Sequence, residues 1–289
     1  MWSLLFIYGL VNSAIILLQT IGFGLTFSIS GIANFSYGAL YILSGIITWL
    51  FLSQGFSLGI SIIMSVLLTS LAGFLIYWLA IYRIRGMPLS EVIITFSLGV
   101  AIIEFLRWKG FVTYEFAIPP ILQGNIFVGG VPIDLQRVII FFSAFLLLVA
   151  LYFFAHWTKI GLALRGVSQN EQTALCFGIN TELLSSFSVM LGAGICALSA
   201  NLILPLGIIS VDSGYDVLLI AIAVTVVGGL GSSIGLLLSS LVFGYVQTAT
   251  TVFFSSKWMM VVYLFSIIAV LMIKPSGILG KFKEIEERM

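Results

Sequence analysis

No side chain between Met1 and Tyr82 carries a formal charge. A soluble fold has to line its loops and outer faces with charged and polar groups, and a stretch of this length offers none of the first and few of the second. The rest of the chain agrees: 61% of the 289 residues are hydrophobic, 8% are charged and mean hydropathy is +1.21. This is an integral membrane protein. Its uninterrupted apolar runs have the length of spanning helices, whose backbones satisfy their own hydrogen bonds in hydrocarbon.

The expected fold is therefore an all-α polytopic membrane helix bundle, a single transmembrane domain over residues 1–289. Candidate spans are Leu4–Phe27, Ala33–Leu52, Leu58–Tyr82, Glu91–Trp108, Leu135–His156, Leu183–Leu204, Asp216–Val227, Ile234–Phe254 and Trp258–Ile273, about nine in all. The seventh is too short to cross alone unless it tilts or the glycine run after it completes it. The run Leu4–Leu18 has no Lys or Arg ahead of it and no convincing cleavage site after it, so it reads as a retained first span.

Lys and Arg stay preferentially on the cytoplasmic side. That places Arg83/Arg85, the segment Thr158–Asn180 with Lys159 and Arg165, and the tail 275–289 with Lys281, Lys283 and Arg288 inside. Counting crossings puts Lys109–Pro132, Pro205–Gly214 and Ser255–Lys257 outside, with Gly228–Ser233 facing inward. Pro119, Pro120, Gly124, Gly129, Gly130 and Pro132 make the first of the outer segments turn-rich rather than helical. A net charge of +1 provides no basic surface for nucleic acid. Cys176 and Cys196 fall at an aqueous face and inside a span, and are expected to be free thiols.

Two regions place small residues in apolar surroundings, Gly31-Ile32-Ala33-Asn34-Phe35-Ser36-Tyr37-Gly38 and Gly228-Gly229-Leu230-Gly231-Ser232-Ser233-Ile234-Gly235. Interrupted helices in both halves of a membrane protein point to a permeation path, because unwound backbone at that depth needs protein or water beside it. Asn34, Phe35, Ser36, Tyr37, Gly38, Gly228, Gly229, Gly231 and Ser232 are the candidate path residues. The same glycines and serines could instead serve close helix packing. Asn34 is the deciding residue: facing another helix it is packing glue, facing a water-filled path it can hold a polar solute. Glu104 and Arg107, three residues apart, are expected to neutralise each other near the outer interface. His156, the lone histidine, is expected at an interface.

Thr158–Asn180 is a polar interruption long enough to fold, and connections of that size are uncommon unless they dock on something. Arg165, Gln169 and Gln172 recur on one side of an expected helix, Leu164, Val167, Ala174 and Leu175 supply apolar contacts, and Gly178 is a stop signal.

The chain resembles the permease family of ABC importers for branched-chain amino acids, the shorter, LivH-like type. The resemblance rests on Asn34-Phe35 with Gly38; on Arg165 with Gln169-Asn170, Ala174 and Gly178-Ile179-Asn180; on Gly228-Gly229-Leu230-Gly231-Ser232 with Gly235; and on Pro275 with Gly277 and Gly280. It covers nearly the whole chain. It implies that Thr158–Asn180 is similar to a coupling helix, with Arg165, Gly166, Gln169, Asn170, Ala174 and Gly178 contacting separate ATP-binding subunits. It also implies a second permease subunit, identical or not, an extracytoplasmic solute-binding protein, a surround of membrane lipid, and residence in the cell inner (plasma) membrane. Ser36-Tyr37 stands where members usually carry Ala-His, Gln247 where they usually carry glutamate, and the turn Val211-Asp212-Ser213-Gly214 lacks the usual proline.

No Gly-x-x-x-x-Gly-Lys-Ser/Thr loop is present to cradle phosphates, so the chain is expected not to be an enzyme and to need a partner ATPase. No metal-ligand cluster or cofactor motif is expected. The alternative is a self-sufficient secondary carrier or channel for a small polar solute; such carriers usually hold ionisable groups deep in the bundle, and the early spans here have none.

Overall fold

A computed structural model describes residues 2–111, 116–207, 209–229, 231–274 and 277–279. Pro275, Gly280, Leu230 and the charged tail 281–289 lie outside the described residues. Within them the chain is a helix bundle, with helices α1 (Trp2–Ser30), α2 (Tyr37–Ser53) and α3 (Leu58–Ile76) in its first part. A π-helical turn (Tyr77–Ile81) and α4 (Tyr82–Ile84) prolong α3, and α5 (Pro88–Trp108) follows. Then come strands β1 (Asn125–Val128) and β2 (Val131–Asp134) and helices α6 (Leu135–Trp157), α7 (Lys159–Gln169), α8 (Glu171–Cys176) and α9 (Thr181–Ile203). Helices α10 (Ser213–Gly228), α11 (Ser233–Phe253) and α12 (Met259–Ile273) close the described chain.

Among the described residues six helical segments are long and apolar enough to cross a bilayer, and α2, α10 and α12 are shorter apolar helices. At 1.5 Å per residue α2 and α10 reach roughly 25 Å and 24 Å, less than the roughly 30 Å of a hydrocarbon core. The short helices α2 and α10 are those that adjoin the two glycine-rich regions.

The bundle has apolar clusters about Phe23, Leu40 and Tyr41 and about Leu18 and Phe243, and several of its helix contacts are made by small and polar side chains while other large apolar ones face outward, as expected where lipid surrounds the fold. Helix α3 shows this most plainly. Ser61, Ser65, Thr69 and Gly73, four residues apart, are its buried positions, and Ile60, Ile63, Leu67, Leu71 and Leu75 are exposed. Gly192 of α9 packs on Thr26 and Gly22 of α1, and Gly244 of α11 packs on Ser13. Between α2, α3 and α9 lies a closed polar node: Asn201 Nδ2 donates to Ser44 Oγ (3.0 Å), Ser65 Oγ (3.2 Å) and the Ala197 carbonyl (2.8 Å), and its Oδ1 accepts from Thr48 (2.5 Å).

Connections segregate to two ends. At one, Ile32, just past α1, packs with Tyr77 and Ile81; Arg85 pairs with Glu171; and Ser28 bonds the Gly231 carbonyl. At the other, Tyr8 bonds the Pro132 carbonyl, Ile209 N donates to the Phe116 carbonyl, and Arg107 pairs with Asp212. Of the segments expected inside, the Arg85 connection, Glu171 and Gly231 share the first end, and of those expected outside, Pro132, Phe116, Ile209 and Asp212 share the second. The turn-rich outer segment contains a structure not expected from its sequence. Strands β1 and β2 form an antiparallel hairpin about Gly129-Gly130, both at positive φ, as a two-residue loop of the right twist requires.

Candidate functional site

The turn between α1 and α2 is the first part of the site. Gly31, at φ +70°, ends α1, and its N–H bonds the Phe27 carbonyl at 2.9 Å. Asn34 then spends its side chain on the turn itself: Oδ1 accepts from the Ser36 N–H (3.1 Å) and the Ser36 hydroxyl (2.6 Å). Both residues are buried. Through its Oδ1, Asn34 holds the chain in an Asx-type turn so that α2 can start. Phe35 N–H donates to Thr95 Oγ1 of α5 at 3.1 Å, and Gly99 of α5 lies against Ser36 and the Phe35 carbonyl. Gly99 is near the middle of α5, so α2 begins at mid-span depth.

Beside this turn the N-terminal ends of α2 and α10 overlap. Gly38 rests on the carbonyl of Gly214. A small cleft opens between Phe35, Gly38, Gly99, Ile103, Gly214 and Tyr215. Of the first five candidate path residues, Phe35 and Gly38 border it. Asn34 and Ser36 lie within the turn, and Tyr37 points the other way, its ring packed edge-on to Phe23 at 5.8 Å. Its buried hydroxyl has no hydrogen-bond partner among the described residues. The paired helix starts and Gly99 and Gly214 were not among the residues picked from sequence; the small residues at these positions were the available signal.

The second glycine region is a helical hairpin turn. The glycine run does not complete α10; it stops it. Gly228 is the last residue of α10, Gly229 follows at φ +103°, and Gly231 sits at φ +84°. Ser232 caps α11 by accepting from the Gly235 N–H at 3.0 Å. Gly228 and Gly235 meet backbone to backbone, and residues 277–279 close the turn: Ile278 N–H donates to the Val227 carbonyl (2.9 Å) and Leu279 N–H to the Gly228 carbonyl (3.2 Å). The geometry gives Gly228, Gly229, Gly231 and Ser232 packing and capping roles, away from the cleft lined by Phe35 and Gly38.

The polar segment forms two helices where one was expected. Thr158 Oγ1 accepts from Gly161 N–H (2.9 Å) to start α7, and Asn170, extended at φ −153°, ψ 111°, ends it. Asn170 Oδ1 then accepts from Thr173 N–H (2.9 Å) to start α8. An asparagine side chain that satisfies a free N–H favours a cap over a helix interior. Arg165 and Gln169 share α7, while Gln172 belongs to α8, so the three do not form one face of one helix. Gly161, Leu164 and Val167 seat α7, and Ala174, buried, seats α8 rather than offering surface. Gly178, at φ +76°, turns the chain toward α9. Gln169, Asn170 and Gly178 are exposed and Arg165 and Gly166 partly so; the Arg165 Nε is buried without a partner among the described residues. Leu162, Leu175 and Phe177 are largely exposed beside them.

Arg107 pairs with Glu104 at 2.8 Å and also with Asp212 in the turn before α10. His156 is exposed, stacks on Tyr152 and hydrogen-bonds its carbonyl. Cys176 is exposed and Cys196 buried, both as free thiols.

The sequence model of the family described as branched-chain amino acid transport system / permease component matches residues 5–271. The chain belongs to that family. This permease is 27% identical over 295 residues to the high-affinity branched-chain amino acid transport system permease protein BraD of Pseudomonas aeruginosa, with 94% of each chain covered. It is 25% identical over 279 residues to the corresponding permease protein LivH of Salmonella typhimurium, with 91% of each covered. Among solved structures, PsaBC from Streptococcus pneumoniae in complex with Fab aligns with a TM-score of 0.52 at 14% identity, over 94% of this permease and 92% of that chain. That likeness is one of fold. The permease is thus a multi-pass membrane protein and an ABC-transporter permease component of the LivH-like type.

Proposed function

We propose that this permease is the membrane-spanning subunit of an ABC importer that moves branched-chain or related small amino acids or amides across the inner membrane. Two permease subunits form the path, separate ATP-binding subunits dock on α7–α8, and an extracytoplasmic binding protein delivers solute at the end of the β hairpin. The solute class follows the names of the relatives.

The observation that carries the docking is the α7–α8 pair. It is folded and seated by its own buried residues, yet it exposes Leu162, Leu175 and Phe177 together with Gln169 and Asn170. Apolar groups presented in this way among polar ones fit the core of a protein interface. ATP-driven movement there would alternate access to the path between the two permease subunits.

The test replaces Arg165 and Gln169 by Ala and measures uptake and ATP hydrolysis in vesicles holding the assembled complex. Uptake driven by ATP is expected to fall; unchanged coupling overturns the docking. Uptake by the permease alone, without nucleotide, overturns the importer assignment in favour of a self-sufficient carrier.

A further inference from the structure

Arg85, in the three-residue connection between α4 and α5, gathers four elements at one guanidinium. Its Nη2 donates to Glu171 Oε1 (2.6 Å), the first residue of α8, and to Ser185 Oγ (2.8 Å) on α9. Its Nη1 lies 2.7 Å from Glu182 Oε2 on α9 and donates to the Tyr77 hydroxyl at 2.9 Å. Tyr77 in turn donates to the same Glu182 oxygen at 2.5 Å. The Arg85 side chain is 13% exposed, against 43% for Glu171 and 35% for Glu182. Only a guanidinium has the planar fork needed to serve two carboxylates and two hydroxyls at once. Burial opposes its charge, but the hydrogen bond to Glu182 and the facing Tyr77 and carboxylates outweigh that and leave its pKa above the ordinary arginine value.

α7 and α8 also pack on α1, α6 and α9, but the node is their polar link to the start of α5. Among the described residues, no other hydrogen bond or ion pair joins α8 to the α4–α5 connection. From Arg85 the link to α5 is short. Glu91 Oε1 accepts from Gly86 N–H (2.9 Å), which ties the connection to the first turn of α5. Helix α5 then meets the α1–α2 turn at Thr95 and Gly99 and the cleft at Ile103. On the other side of the node Tyr77 opens the π-helical turn, a local widening of the helix that proteins often place at functional sites.

We propose that Arg85 is a positioning residue for transport, transmitting displacement of α7–α8 to α5 and the π turn of α3 through its paired bonds to Glu171, Glu182 and Tyr77. This rests on the docking of an ATPase at α7–α8. A plain structural anchor would use the same contacts, and the two roles differ in one ratio. An anchor sets how much complex assembles. A transmitter sets how much solute moves for each ATP hydrolysed.

The experiment reconstitutes the full complex in proteoliposomes and measures both rates for the native protein, Glu171→Gln, Glu171→Asp and Arg85→Lys. Glu171→Gln removes the charge of one arm at a half-exposed position and leaves a neutral amide oxygen as the acceptor. Arg85→Lys keeps the buried charge but cannot fork between two carboxylates, so it holds the test if the first variant assembles poorly. Uptake per ATP is expected to fall about tenfold in both, the scale of one charge-assisted hydrogen bond. Glu171→Asp is expected to recover part of it. Uptake and hydrolysis falling together in both variants, with the ratio held, overturns the proposal while leaving the importer assignment intact. Nucleotide-independent uptake by the native permease alone overturns both.

Discussion

Gly38 and Gly214, each the second residue of its helix, touch backbone to backbone where α2 and α10 begin. Gly38 also approaches Leu218, and Gly214 approaches Ile42, so the two first turns cross antiparallel. A Cβ on Gly38 overlaps the Gly214 carbonyl, which is backbone and cannot rotate away. Gly38→Ala is expected to separate the helix starts, destabilising the permease by about 1–3 kcal/mol as overpacking does and lowering uptake. Denaturation in detergent and transport of the same variant check this; native values in both contradict the contact.

Asn201 closes a polar node in which each group of the amide has a partner. Asn201→Leu removes both amide N–H donors, which three acceptors share, and leaves Thr48 without the acceptor it uses here. The expected cost is about 1–3 kcal/mol for buried polar groups left unmade, reduced to the extent that serine and threonine hydroxyls turn back to their own helix carbonyls. Unfolding of the variant in mixed micelles measures it, and a change below about 0.5 kcal/mol, the scale of an uncritical surface substitution, would show that the node contributes little.

Much of this fold was legible because lipid imposes a simple rule on sequence. Helix-length apolar runs located α1, α5, α6, α9 and α11, and α3 with its extension to Ile84, within a few residues, and charge placement grouped Arg85 with Thr158–Asn180, which the Arg85–Glu171 pair joins. What hydropathy does not encode is direction. Asn34 and Tyr37 stand three residues apart in a polar patch, yet one turns onto its own backbone and the other into the bundle. The break at Asn170 had a local signal, an asparagine ahead of a glutamate, which the helical spacing of Arg165, Gln169 and Gln172 concealed. The partners of Arg85 had none: Glu171 and Glu182 are 86 and 97 positions away, and nothing local to Arg85 announces them.

Phe177 follows α8 and is 80% exposed. Little of its area is buried in the permease, so Phe177→Ser is expected to change unfolding free energy by less than about 0.5 kcal/mol. If an ATPase covers it, the same change removes apolar area from an interface, and recovery of ATP-binding subunits with the tagged permease should fall. A lowered stability with undiminished recovery would reverse the assignment and make Phe177 part of the fold.

Gly277 joins the last described segment to the α10–α11 hairpin, at φ +77° and in contact with the Gly229 backbone and the Val226 carbonyl. Two independent obstacles face a side chain here. Alanine at positive φ costs on the order of 1 kcal/mol, and its Cβ would lie 2.5 Å from Gly229 Cα and from the Val226 oxygen. Gly277→Ala is therefore expected to release residues 277–279 and so free the Val227 and Gly228 carbonyls that Ile278 and Leu279 cap. Because those carbonyls end α10, the loss should appear as faster amide exchange at Ile278 and Leu279, with fraying of the last turn of α10, while α1 and α9 stay protected. Exchange spread evenly through the bundle would mean instead that the capped turn is a support for the whole fold, and unchanged exchange at Ile278 would mean that the cap tolerates the methyl group.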